Sequence, residues 1–183
     1  IGAKQKPSIA VRKGKNSSMG LAIQSVKTGQ TDAIVSAGNT GALMAMTKLF
    51  LRPIEGITRP AIAAYFPTIN GESCMLDLGA NIECDAKNLV QFAFMGQAFA
   101  NIVMGVNNPT ISLLNIGEEE QKGLDYIKEA SQILTELKDQ INYTGFIEGD
   151  KIAQGISDVI IADGFSGNVS LKTAEGTALL VTS

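Results

Sequence analysis

Apolar residues along this chain follow two alternating rhythms. Short runs dense in aliphatic and β-branched residues, "DAIVSA" (32–37), "CMLDL" (74–78), "TISLLN" (110–115) and "DVIIAD" (158–163), have the length and composition of buried strands. "AIAAY" (61–65) and "INYTGF" (141–146) fit that pattern less well. Between these runs the spacing becomes helical. Met19, Ala22, Ile23 and Val26 share one face of a helix expected to begin near Ser17 and Ser18 and to stop at Gly29. Residues 89–106 are apolar nearly all round, broken only by Gln91, Gln97 and Asn101, which predicts a buried helix. Leu124, Ile127, Ile133, Leu134 and Leu137 mark a more amphipathic helix with a charged outer face. Strands alternating with helices predict a layered α/β fold with a largely parallel sheet.

The loop after each strong strand carries the functional signal. "GNTG" comes after the first, "GAN" after the second, "IGEE" after the third and "GFSGN" after the fourth. In a parallel sheet such loops leave the carboxyl ends of the strands, where open α/β folds bind ligands. Glycine lets backbone approach a ligand, Asn39, Asn81, Asn115 and Asn168 add short polar arms, and the adjoining helices can aim N–H groups at an anion. Each loop alone is explained by the turn-forming habits of glycine and asparagine. Four of them on one edge favour a phosphate-sized anion site.

Composition narrows the chemistry. The chain has 183 residues, 45% hydrophobic and 18% charged, which suits a globular protein with a real core. We expect a single α/β domain over residues 1–183. The chain begins at Ile1 rather than methionine and ends at Ser183 within a helical pattern, so it is expected to be a central segment of a longer protein. A net charge of −3 argues against wholesale nucleic-acid binding. No histidine is present, so histidine triads, cysteine–histidine dyads and histidine-based metal sites have no source within the chain. Cys74 reads as a small buried core residue with an inert thiol, and Cys84 lies in a polar turn. With no signal peptide and no apolar stretch of spanning length, the expected location is cytoplasmic.

Several longer motifs, in one order, make the chain familiar: "VRKGKNSSM", "SAGNTGALM", "GITRPAIA", "LDLGANIE", "LLNIGEE" with "KG" after it, and "DGFSGNVSLKTAEG". Together they resemble the bacterial phosphate acyltransferases of phospholipid synthesis, the PlsX type, from about Val11 to Glu175. The resemblance implies a three-layer α/β/α fold akin to phosphotransacetylases and isocitrate-type dehydrogenases. It also implies a homodimer, with acyl carrier protein and inorganic phosphate as partners, and a site of action near the membrane surface, where peripheral contact fits. The implied reaction moves a fatty acyl group from acyl carrier protein to phosphate, forming acyl phosphate. The chain departs from the family pattern in three places. It reads "IECDAKN" after "GAN", where the family carries a proline and a histidine. Phe146 and Asp150 stand where the family has asparagine and arginine.

The residues suit such a reaction. Phosphate is itself the nucleophile, so the protein needs no serine or cysteine nucleophile, no metal and no cofactor, only positioning and charge stabilisation. Lys122 occupies the position of a lysine that the family places beside the site; it would hold phosphate or steady the thioester oxyanion, against the plainer reading of a solvated lysine early in a helix. Asn168 would donate its amide to phosphate or to the carbonyl oxygen, or simply cap a helix. Asp163 would position Lys122 or a water, or form a turn. Gly38, Asn39, Thr40, Gly41, Asn81, Asn115, Gly164 and Ser166 complete the expected phosphate-binding set. Glu118, Glu119 and Glu120 read mostly as a solvated helix start. Arg12, Lys13 and Lys15 would dock an acidic carrier protein, or lie in a solvated loop. The apolar residues 89–104 read as a core or dimer helix before an acyl groove. Three other readings stay open: a phosphotransacetylase or phosphate butyryltransferase using coenzyme A thioesters, a nicotinamide-dependent dehydrogenase, and a non-catalytic scaffold for acyl carrier protein. The dehydrogenase lacks a GxGxxG fingerprint after a strand.

Overall fold

The computed structural model describes residues 7–183. They form two compact units, one ending at Pro60 and one running from Ala61 to Ser183. In the first unit, helices α1 (Pro7–Lys13), α2 (Ser18–Lys27) and α3 (Thr40–Phe50) enclose a small core of Ala10, Met19, Ile23, Ala42 and Met46. α2 starts where its sequence predicts, because the Ser17 side chain accepts the Gly20 N–H at 3.1 Å. It stops at Gly29, whose φ of 70° suits a residue without a Cβ. The expected strand at residues 32–37 does not form. No described strand pairs with it, and Val35 is fully exposed. A β-branched run becomes a strand only where a neighbour completes its ladder, and the described residues supply none.

The second unit is a five-stranded sheet in the order β1-β2-β5-β3-β4. Its strands are β1 (Ala63–Thr68), β2 (Gly71–Leu76), β3 (Ile111–Leu114), β4 (Tyr143–Ile147) and β5 (Val159–Ile161). β1 and β2 pair antiparallel as a hairpin, and every other pairing is parallel. Alternate residues supply two cores. Cys74, Leu76, Ile111, Leu113, Val159 and Ile161 face Leu89, Phe92 and Ala93 of α4 (Ala86–Phe99) and Ile127, Ala130 and Leu134 of α5 (Asp125–Glu136). Met75, Ile160 and Ile147 face the other way, toward Ile152 and Leu171 of α6 (Gly164–Thr182). Burial on both faces explains why these strands read as continuous apolar runs rather than alternating ones. The fold is therefore a mostly parallel sheet with helices on both sides, as expected.

The buried helix predicted over 89–106 is α4, started by a reciprocal cap between Asp85 and Asn88. It passes into a wider turn, Ala100–Met104, and closes on Gly105 with φ 71°. Ile102 and Val103 are exposed there, so the burial expected all round ends at Ala100.

Candidate functional site

The parallel register sets the carboxyl ends of β2, β5 and β3 side by side, so the loops at 79–81 and 115–117 leave one edge of the sheet together with residues 164–168, which form the first turn of α6 rather than the expected loop. The fourth expected loop, 38–41, belongs to the first unit. There Asn39 caps α3 by accepting the Ala42 N–H at 2.8 Å, Gly38 N–H donates to Ser36 Oγ at 3.2 Å, and Thr40 and Gly41 open the helix. Arg12 and Lys13 end α1 and Lys15 lies in the short helical turn after it, all three exposed. Cations at a helix end suit its dipole.

At the sheet edge the loop after β2 and the first turn of α6 interlock. Asp77, fully buried just past β2, accepts the Ile62 and Ala80 N–H groups on Oδ1 at 2.9 and 3.1 Å. Its Oδ2 accepts the Asn81 N–H at 2.7 Å and the Asn81 side-chain amide at 2.9 Å. Asn81 in turn offers its carbonyl to the Gly164 N–H at 2.7 Å, and Asn168 Nδ2 donates to Leu78 O at 3.1 Å. Gly164 and Gly167 must be glycine here. A Cβ on either would run into the carbonyl oxygen of Asn81 or of Asp77 respectively.

Asp163 takes a different post from the expected one. It is buried and caps α6, accepting the Phe165 and Ser166 N–H groups on Oδ1, both at 2.9 Å. Oδ2 accepts the Ser166 hydroxyl at 2.8 Å and the Tyr126 hydroxyl at 3.1 Å. It is not placed against Lys122. A carboxylate at the start of a long helix, with amides already aimed at it, is satisfied without a cation. The cap is thus Asp163, not Asn168, which sits one turn into the helix. With Gly164 and Gly167 N–H bonded to Asn81 O and Asp163 O, the first-turn amides of α6 are all engaged, so they are not aimed at an anion. Burial first, and then the Asp163 charge, push the Tyr126 hydroxyl up to about 12.

A cavity of about 490 Å³ opens beside this cap, lined by Asn115, Ile116, Gly123, Leu124, Ser166 and Ser170 among others. Asn115 is buried and donates its amide to Gly117 O at 3.1 Å and Lys122 O at 3.0 Å, while its Oδ1 has no partner among the described residues. α5 begins at the cavity wall without a side-chain cap, and Asp125 lies in its first turn. Glu118, Glu119 and Glu120 form a turn rather than a helix start, because α5 begins only at Asp125. Gly123, with φ 95°, breaks the chain before it. Lys122 lies in this turn, half exposed, with Nζ 2.9 Å from Glu119. That hydrogen bond, and then the Glu119 charge, raise its pKa. Lys151 likewise holds Glu118 at 2.6 Å.

Sequence reasoning missed two residues. Asp77 had a signal, a lone carboxylate inside an apolar run. Tyr126 had none, because only the packing of α5 against α4 and β4 brings it to Asp163.

The chain matches the family described as "Fatty acid synthesis protein" over residues 1–183. It is 59% identical over 175 residues to the phosphate acyltransferase of Rhodospirillum centenum, covering 96% of this chain and 49% of that protein. It is 55% identical over 182 residues to the phosphate acyltransferase of Parvibaculum lavamentivorans, covering 99% and 50%. The chain thus spans about half the length of the curated relatives it matches. Among solved structures, a phosphotransacetylase from Streptococcus pyogenes superposes with a TM-score of 0.72 at 21% identity, covering 93% of this chain and 61% of that one. The EutD phosphotransacetylase from Staphylococcus aureus gives 0.68 at 16% identity, covering 96% and 65%. These two share the fold. With a family match along its entire length and relatives above half identity, this chain belongs to the fatty acid synthesis protein family.

Proposed function

We propose that the full-length protein carrying this chain transfers a fatty acyl group from acyl carrier protein to inorganic phosphate, supplying acyl phosphate for phospholipid synthesis. The observation that carries this reading is the 59% identity to a protein named phosphate acyltransferase. In the reaction a phosphate oxygen attacks the thioester carbonyl carbon. The C–O bond forms, the C–S bond breaks, and the thiolate leaves to take a proton from water. Lys122 holds the phosphate and Asn168 steadies the oxyanion. Lys122 must first leave Glu119, and an exposed pair of that kind exchanges readily for a better anion. Asn168 carries two amide hydrogens, one of them on Leu78 O. Asn115 and Ser166 line a cavity that Gly123, the residue after Lys122, also helps to wall.

Arg12, Lys13 and Lys15 are the proposed landing patch for the acidic carrier, since complementary charge steers association. The protein acts as a homodimer in the cytoplasm, with peripheral contact at the membrane. Among the described residues no helix is long and apolar enough to cross it. The test is thiol release by the full-length protein with phosphate and either acyl carrier protein or coenzyme A as the acyl donor. Release that requires phosphate and prefers the carrier-protein donor supports the reading. Preference for the coenzyme A thioester moves the protein to the phosphotransacetylase reaction, and no release from either donor leaves a scaffold.

A further inference from the structure

β3 delivers Asn115 to the sheet edge with its backbone already fixed, because the Asn115 N–H donates to Ile147 O of β4 at 2.9 Å. The side chain is 7% exposed, and its amide hydrogens turn back into the protein. One goes to Gly117 O at 3.1 Å and the other to Lys122 O at 3.0 Å. A single NH2 group therefore holds both ends of the turn 117–122, which the Lys122 N–H tightens from within by donating to Glu119 O at 3.0 Å. The remaining atom, Oδ1, is buried and has no partner among the described residues. Turning the amide over would set that oxygen against two carbonyl oxygens, so the orientation is decided by the turn. The chain then crosses the side chain at Gly123, where φ is 95° and a Cβ would strike Asn115 Oδ1.

We propose that Asn115 is a positioning residue for the acyl transfer, a clamp that ties the Lys122 backbone to the end of β3 so that the Lys122 ammonium meets phosphate at a set place. The proposal rests on the acyl-transfer reading above, and it gives Asn115 a different part from the phosphate contact expected of it in the sequence. Both amide hydrogens are engaged within the turn and the oxygen is a buried acceptor, so the side chain has nothing to donate to an anion. The clamp matters because little else fixes Lys122. Its side chain is half exposed, and its Nζ rests on Glu119, a surface pair that exchanges readily. The outer side of the turn is tied by Lys151 to Glu118 at 2.6 Å, and that pair is partly exposed too. The Asn115 amide is the anchor kept from water, where a lost hydrogen bond leaves its partners unsatisfied. Misplacing a group at a reacting centre by about 1 Å costs on the order of 100-fold in rate, so a loosened turn is felt in turnover.

Two substitutions in the full-length protein remove the clamp. Asn115→Leu keeps the size of the side chain without its donors, and Asn115→Ala lets water reach both carbonyls and serves if the leucine variant does not fold. Thermal unfolding selects the folded variant. Phosphate-dependent thiol release from the acyl carrier protein thioester is then measured for that variant, for Lys122→Met and for the two combined. The clamp predicts a loss of about 10- to 100-fold in kcat/KM for phosphate, with the KM for the acyl donor within about twofold of wild type. It also predicts that the double variant is no slower than Lys122→Met alone, because Asn115 acts only through Lys122. A residue that merely supports the fold would multiply the two losses. Trypsin gives a second readout that needs no turnover. Cleavage at Lys122–Gly123, referred to the exposed Lys27–Thr28 bond in the same digest, should speed up about fivefold or more once Lys122 O is released. Losses that multiply in the double variant, near-native turnover, or unchanged cleavage each overturn the clamp while leaving the transferase reading standing. A wild type that releases no thiol overturns the transferase reading, and with it the part of Asn115 in catalysis.

Discussion

Replacing Asp77 by asparagine changes one atom in a side chain that no ligand need touch, and it should be among the most damaging conservative changes in the chain. Asp77 is wholly buried and its two oxygens accept four N–H groups, from Ile62, Ala80 and twice from Asn81. An asparagine amide, whichever way it turns, points an NH2 at two of those donors. Two charge-assisted bonds are lost at about 1.5–3 kcal/mol each, and donors then face donors in a dry site. Relief from burying a charge offsets part of this. The expected cost is about 3–4 kcal/mol, or roughly 10 °C in Tm at about 2–4 °C per kcal/mol for a chain of this size. Urea unfolding of the full-length protein, followed by circular dichroism, measures it. The exposed Asp139→Asn serves as control and should stay within about 0.5 kcal/mol of wild type. A loss below about 1 kcal/mol for Asp77→Asn would refute the claim that this carboxylate holds the loop at 79–81.

Other contacts lead to further expected outcomes. Gly167→Ala places a methyl against the Asp77 carbonyl and should cost about 1–3 kcal/mol by overpacking; an unchanged urea midpoint would show that α6 and the Asp77 loop can part freely. Burial pushes the Cys74 thiol up to about 11, so at pH 8 only about one molecule in a thousand carries the thiolate. Iodoacetamide should therefore reach Cys84 first and Cys74 only on unfolding, read by peptide mass spectrometry; equal rates would contradict that burial. The Tyr126 hydroxyl is also raised, to about 12, so the fold favours its neutral form. Its contribution is complete below the unfolded value near 10 and lost as pH rises from about 10 to 12, and Tyr126→Phe should flatten that alkaline decline. A decline as steep as that of wild type would remove Tyr126 as its source.

Local signals made much of the fold legible. Apolar runs at 74–78, 110–115 and 158–163 became central strands because both faces of the sheet are covered, a condition the runs themselves announce. Ser17 and Gly29 bounded α2 by capping chemistry written within a few residues. Residues 32–37 carry the same strand signal and form none, since pairing depends on a neighbour that no local pattern encodes. The site divides in the same way. That residues 79–81 and 164–168 would meet was expected from their shared place after strands, and Asn81 and Gly164 are in fact bonded, although 164–168 is the first turn of α6 rather than a loop. That Asp163 would serve α6 and Tyr126 rather than Lys122 did not follow, because it depends on which side chains the crossovers bring within three ångströms. Lys122 reads as helical by its neighbours, yet Gly123 breaks the chain before α5 starts.

The central claim is that this sheet edge activates phosphate against a thioester, with Lys122 and Asn168 carrying the charge. Incorporation of radiolabelled phosphate into acyl phosphate, by the full-length protein supplied with acyl carrier protein thioester, measures it directly. Wild type should incorporate label, and Lys122→Met and Asn168→Ala should each fall about 100- to 1,000-fold, the usual worth of one oxyanion donor, with urea midpoints close to wild type. Near-native incorporation by both variants, or none by wild type, would contradict the account.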